Sequence, residues 1–170
     1  KRVDELQAEE KEYLTTIRLG STTVSYDLEH PIDKTYSYDH VTQESIEATL
    51  REMEGEQLQE PPLYSAKKIE GQRAYEYARE GEEVKLRHAL INIYEMRLEQ
   101  VNLPDVTLCI RCSKGTYIRS IARDLGNKLE CGGHLIALRR TRSGAFAESD
   151  LYTIELPTTH TSQGFIADIC

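Results

Sequence analysis

The sequence predicts an α+β fold: a mostly antiparallel mixed sheet with flanking helices. Three observations predict it. Several short runs alternate apolar and polar residues with the period of a strand. Two of these, residues 88–100 and 105–112, are separated only by a hairpin-length link through Leu103 and Pro104. Segments with apolar residues at helical spacing stand between the strand runs.

Residues 11–19, KEYLTTIRL, alternate well enough to be a strand, and Gly20 closes it. Residues 21–40 read as irregular, rich in Thr, Tyr and Asp with one Pro. Thr42 suits an N-cap, and Ser45, Ile46, Ala48, Thr49, Leu50 and Met53 follow at helical spacing until Gly55. The stretch LQEPPLYSAKK contains Pro61 and Pro62 and cannot be a helix interior. Gly71 precedes QRAYEYARE, which reads as a short helix stopped at Gly81. Residues 116–129 predict an amphipathic helix with Tyr117, Ile118, Ile121, Leu125 and Leu129 on its apolar face and Gly126 near its end. LIALRRTRSGAF fits strand and helix equally, and LYTIEL is one more short element.

At 170 residues the chain suffices for one domain with a core, and 39% hydrophobic with 29% charged residues reads as globular. No apolar run approaches the ~18–20 residues that span a bilayer, and the N-terminus has no signal-peptide pattern. The net charge of −8 argues against a generic nucleic-acid binder, but the charge is uneven. From Arg111 to Arg142 eight Lys and Arg face only Asp124 and Glu130, a surplus of +6 on an acidic body. A local basic face of this kind can contact phosphate while the body discourages non-specific binding. The alternative is ordinary surface cations on a helix and a strand.

Four cysteines occur, at 109, 112, 131 and 170. Cys109 and Cys112, followed by Cys131 and His134, have a spacing like that of a zinc ribbon. The first pair, however, lies in the alternating run VTLCIRC, where residues three apart point to opposite faces. Small core thiols in a reducing, cytoplasmic setting are the better reading, with no metal.

Four stretches together resemble the TruB-type tRNA pseudouridine synthases. They are KEYLTTIRLG with Asp27 after it, PPLYSAKKIEGQRAYEYAREG, CSKGTYIRSIARDLG, and CGGHLIALRRTRSG. They stand in the family's order and spacing over Lys1 to about Leu156. The resemblance implies the pseudouridine synthase fold and isomerisation of the uridine at position 55 in the T arm of tRNA, without cofactor or metal. The family's nucleophilic Asp lies in a Gly-Thr-Leu-Asp-Pro-type motif upstream of the match to Lys1, and this chain has no such motif. It therefore reads as part of a catalytic domain over 1–156 followed by a tail at 157–170, without a PUA domain. It is expected to be inactive alone, and Tyr13's strand is expected to lack a neighbour.

A base stacked in RNA has to be flipped out before a carboxylate can attack it. The resemblance gives Arg119 the task of pairing with the missing Asp, its guanidinium directed out of the sheet end. The alternative is a purely structural pair with Asp124 or a neighbour. Tyr13 would stack on the uracil and Leu138 would pack on the flipped base. Asp27 would lie near the RNA, or else simply cap a turn. Residues 62–87 match the family's thumb, expected to be among the more mobile parts of the free chain. Its Tyr64, Ser65 and Lys68 would contact RNA, and Arg73 and Arg79 would gain contacts only when RNA binds. Lys114, Arg139, Arg140 and Arg142 would form one basic face. Two further readings stay open: a non-catalytic RNA-binding or RNA-folding module, and a zinc-ribbon RNA binder.

Overall fold

A computed structural model of the chain describes residues 10–64, 68–69, 72–73, 87–144 and 146–147. Its centre is a six-stranded sheet in the order β10-β9-β1-β8-β7-β4. The strands are β1 (Lys11–Leu19), β4 (Gly55–Gln59), β7 (Ala89–Asn102), β8 (Asp105–Cys112), β9 (Gly133–Ser143) and β10 (Phe146–Ala147). Every neighbouring pair is antiparallel. β1 has partners on both sides, β8 and β9, so the expectation that Tyr13's strand lacks a neighbour is corrected.

β1 shows why its sequence makes a strand. Tyr13, Thr15, Ile17 and Leu19 are buried while the residues between them are half-buried. Each buried residue faces another across the ladder: Tyr13 opposite Ile110, Thr15 opposite Leu108, Ile17 opposite Val106. On this face lie two helices, α1 (Gln43–Glu52) and α2 (Ile118–Lys128), which pack against β7 and β9 respectively. Ile17, Leu108, Ile110, Ile118, Ile121, Leu125 and Leu135 are at most 2% exposed between them. Burial of such a side chain contributes about 1.5–3 kcal/mol each. The β7–β8 hairpin turns at Leu103–Pro104, as the sequence predicts.

Four expectations change. Residues 21–40 are not wholly irregular: β2 (Ser21–Thr23) and β3 (Ile32–Thr35) pair as a small antiparallel sheet. All four residues of β3 are exposed, so no apolar alternation marks it. Gln72–Arg73, expected to begin a helix, form β6 against β5 (Lys68–Ile69). The remainder of that expected helix, the helix stop at Gly81 and LYTIEL lie outside the described residues, as does Cys170. The ambiguous LIALRRTRS is a strand, carried in β9. The polar stretch GEQLQ, for which no strand was expected, is the edge strand β4.

One glycine fixes how closely the second helix approaches the sheet. A methyl group on Gly126 would overlap the backbone of Gly132 and Gly133. The Gly126 carbonyl accepts from Cys131 N–H and Gly132 N–H, both at 3.1 Å. The helix thus closes directly onto the start of β9. Among the described residues no helix is long and apolar enough to cross a membrane.

Candidate active site

The site is built around the turn from β8 into α2. Gly115 has φ +83°, a conformation that glycine adopts without steric cost. Lys114 beside it is exposed. Thr116 Oγ1 donates to the Ser113 carbonyl at 2.8 Å and tightens the turn. Tyr117 is the N-cap residue of α2, and its side chain makes no cap hydrogen bond. Its backbone is held instead by the Gln59 side chain from the end of β4.

Arg119 sits in the first turn of α2 and is 4% exposed. Its guanidinium turns into the chain. Nη1 donates to the Tyr64 carbonyl at 2.8 Å and to the Ser25 carbonyl at 3.4 Å. The same nitrogen lies 3.5 Å from Asp27 Oδ2. The structural alternative is a pair with Asp124 or a neighbour; Asp124 pairs with Arg123, at 2.8 Å, and the carboxylate beside Arg119 is Asp27. A buried cation without a counter-charge is very costly, so Asp27 and Arg119 hold each other in place.

Asp27 is 4% exposed, and its carboxylate is directed inward. Oδ1 accepts from Ser25 Oγ at 2.6 Å and from Glu29 N–H at 2.9 Å. The second bond is the two-residues-on pattern of an Asx turn. Thr23 Oγ1 donates to the Asp27 carbonyl at 2.7 Å. The loop is tied to β9 by the Leu135 N–H bond to the Tyr26 carbonyl at 2.8 Å. Asp27 therefore pairs with Arg119 and caps its own loop turn.

The register gathers the other expected residues. Tyr13 stands opposite Arg140 and Thr15 opposite Leu138 on the β1–β9 ladder. Partners across a ladder share a face. Tyr13, Leu138 and Arg140 thus lie together on the face that carries α2. Tyr13 is 6% exposed and belongs to the core, and Leu138 packs against that core from its edge. Arg139 stands opposite Leu14 and Arg142 opposite Glu12, on the other face. A register shift between Glu12 and Tyr13 separates Arg140 from Arg142. The expectation of one basic face made by all three arginines is therefore corrected: the strand divides them.

Tyr64 is half-buried, and its ring lies 4.6 Å from that of His30, tilted by 49°. Lys68 lies in β5 and Arg73 in β6, as backbone positions. Ser65 and Arg79 lie outside the described residues. Beyond Tyr64 a groove of about 440 Å³ runs along α2, lined by Tyr26, Lys34, Tyr36, Arg123 and Asn127 among others. The Arg123 guanidinium stands 5.2 Å over the Tyr26 ring. Tyr26 itself has φ +62°, an uncommon conformation outside glycine.

The cysteines separate the same way as the arginines. Cys112 stands opposite Lys11, while Cys109 stands opposite Leu14. One sulfur thus faces the helices and the other the opposite side, so the two cannot share one metal ion. Burial pushes the Cys112 thiol up to about 11.

Sequence reasoning passed over Gln59, Ser25 and the inward role of Asp27. Gln59 is 3% exposed, yet its stretch reads only as non-helical. A polar residue ending a strand before Pro61–Pro62 is the one signal available. Ser25 leaves none, because a serine that donates to Asp27 and offers Arg119 its carbonyl looks in sequence like any loop serine.

Comparison with known proteins defines the class first. Residues 1–118 match the TruB family pseudouridylate synthase (N terminal domain). Residues 119–157 match the tRNA pseudouridylate synthase B C-terminal domain. The chain thus belongs to the TruB family of pseudouridylate synthases. It is 52% identical over 144 residues to tRNA pseudouridine synthase B of Bacteroides fragilis, covering 85% of this chain and 62% of that protein. The same-named protein of Phocaeicola vulgatus is 46% identical over 155 residues, covering 91% and 66%. The chain therefore spans under two thirds of these curated relatives. Among solved structures, a Cbf5-Nop10-Gar1 complex matches with TM-score 0.59 and 29% identity, over 86% of this chain and 34% of that one. An H/ACA RNP bound to a substrate RNA containing 2′-deoxyuridine matches with TM-score 0.55 and 25% identity, over 86% and 32%.

Proposed function

We propose that the whole protein carrying this chain converts the T-arm uridine of tRNA, position 55, to pseudouridine in the cytoplasm, using no cofactor or metal. The observation that carries this reading is the buried Arg119, anchored by Asp27 at the start of α2 in a chain of the TruB family. In this reading an Asp outside this chain is the nucleophile. Arg119 holds it ionised and aims it, because a fixed cation in a water-poor site favours the carboxylate. The uridine leaves the base stack to reach it. Tyr13 lies against the uracil and relays the C5 proton, and Leu138 packs on the base. Bond cleavage, rotation of the uracil and rejoining through carbon then conserve every atom of the uridine.

Lys114 and Arg140 contact the RNA, joined by Tyr64, Ser65 and Lys68 of the thumb, residues 62–87. Arg139, on the far face, contacts only RNA that wraps around the sheet edge. The groove beside Tyr64 supports a path for unpaired nucleotides, since its tyrosines offer stacking surfaces and its cations suit phosphate.

Tritium release from C5-labelled uridine in a T-arm stem-loop tests the reading. The whole protein is expected to turn over and this chain alone to stay at background. Turnover by the chain alone would mean that its nucleophile is among these 170 residues.

A further inference from the structure

We infer that Gln59 is a positioning residue for Arg119, an inference that rests on the function proposed above. Helix α2 starts badly by local criteria. Its N-cap is Tyr117, whose side chain makes no cap hydrogen bond. The backbone there is buried, so its polar groups need partners. Gln59 supplies both. Its Oε1 accepts from Tyr117 N–H at 2.8 Å, and its Nε2 donates to the Tyr117 carbonyl at 3.1 Å. One amide thus closes a two-bond ring on a single residue, as a neighbouring strand would. The two peptide planes flanking Tyr117 are fixed, and with them the direction in which the helix leaves.

The segment after Gln59 grips the same turn again. The Glu60 carbonyl accepts from Ser120 Oγ at 2.9 Å and from Arg123 Nη2 at 3.2 Å. The Tyr64 carbonyl takes Arg119 Nη1. Residues 59–64 therefore hold α2 by its backbone at Tyr117 and by its side chains at 119, 120 and 123. Gln59 is the one that sets the backbone. It is itself registered on the sheet, since it pairs with Ala89 of β7. Strand edge, helix start and Arg119 are thus one mechanical series. Gln59 touches neither base nor nucleophile in this reading, so its effect passes through Arg119.

Positioning and plain stability give different signatures. A misplacement of a catalytic group by a fraction of an ångström lowers the chemical rate while leaving RNA contacts elsewhere intact. Gln59→Leu keeps the size and removes both bonds. Gln59→Glu keeps the acceptor for Tyr117 N–H and loses the donor. In the whole protein, with a T-arm stem-loop as substrate, kcat is expected to fall about tenfold or more for Gln59→Leu and by less for Gln59→Glu. KM should stay within about twofold for both. Folded variants, checked by circular dichroism at the assay temperature, that keep native kcat would overturn the inference. If Gln59→Leu does not fold, Gln59→Glu decides by the same criterion. A whole protein that never turns over sinks the function instead. Amide exchange at Tyr117 then judges the latch: slow in the native protein and faster in Gln59→Leu, which removes the acceptor, if the latch is real, unchanged if it is not.

Discussion

The two helices start in opposite ways. α1 is capped by its own sequence: Ser45 N–H donates to Thr42 Oγ1 at 3.1 Å, and Thr42 N–H donates to Ser45 Oγ at 3.0 Å. This reciprocal box lies within four residues and is exposed. α2 has no such box, and its start is held by Gln59, 58 residues away. A helix that only covers a core can be defined locally. A helix that must carry Arg119 to one place is tied to the sheet, the 23–29 loop and the strap at 59–64. The cost is dependence: every one of those parts has to be in position first.

The sharpest way to break the contrast is at Arg119. Arg119→Ala in the whole protein should lower kcat by about 10²- to 10³-fold with a smaller change in RNA affinity. It should also destabilise by about 3–5 kcal/mol, because the buried Asp27 is left without its counter-charge. Turnover and binding measured side by side, with urea unfolding, separate these effects. Affinity that falls while kcat stays native would make Arg119 only an RNA contact.

Next comes Gly126, which has no counterpart in α1. Gly126→Ala should lower stability by about 3 kcal/mol or more, because the obstacle is backbone rather than a movable side chain. Thr42→Ala, the matching lesion in the locally capped helix, should cost about 1 kcal/mol and leave kcat native. Chemical denaturation of both variants checks the ranking. Equal losses would erase the distinction between the helices.

The smallest effect is a pH effect far from α2. Arg18, hydrogen-bonded to Asp105 across the β1–β8 pair, holds the Asp105 carboxyl below the usual carboxylate range. A lowered folded value means that the ion pair stabilises at neutral pH. That contribution shrinks as pH falls below about 4, the unfolded value, and vanishes below the folded one. Both side chains are about a third exposed or more, so the amount is about 0.5 kcal/mol. Arg18→Ala should flatten the acid limb of stability by that much, read from urea midpoints between neutral and acid pH.

Several elements can be read directly from the chain. β1, α1 and the β7–β8 hairpin follow from alternation, a cap and a short link, all signals confined to a few neighbouring residues. β3 could not be read, because exposed residues carry no burial pattern. β4 could not either, since an edge strand with one buried glutamine looks like polar loop. β9 stayed ambiguous because its register shifts against β1 at two points and breaks the strand period. At the site, the family resemblance singled out Arg119, Tyr13 and Leu138. The ladder then shows Tyr13 and Leu138 on one face.

The sequence by itself determined where β1, β7, β8 and both helices form, and that positive charge gathers between 111 and 142. Those features depend on side-chain type and spacing along a short stretch of chain. Only the tertiary structure decided what the charges do. It placed Asp27 against Arg119 across 92 residues, gave Tyr117 its partner in Gln59, and split Arg139 and Arg142 from Arg140. The physical reason is that a buried polar group has to be satisfied, but any donor or acceptor that the fold brings within about 3 Å can satisfy it. Local pattern states the need, and only the packed chain supplies the partner.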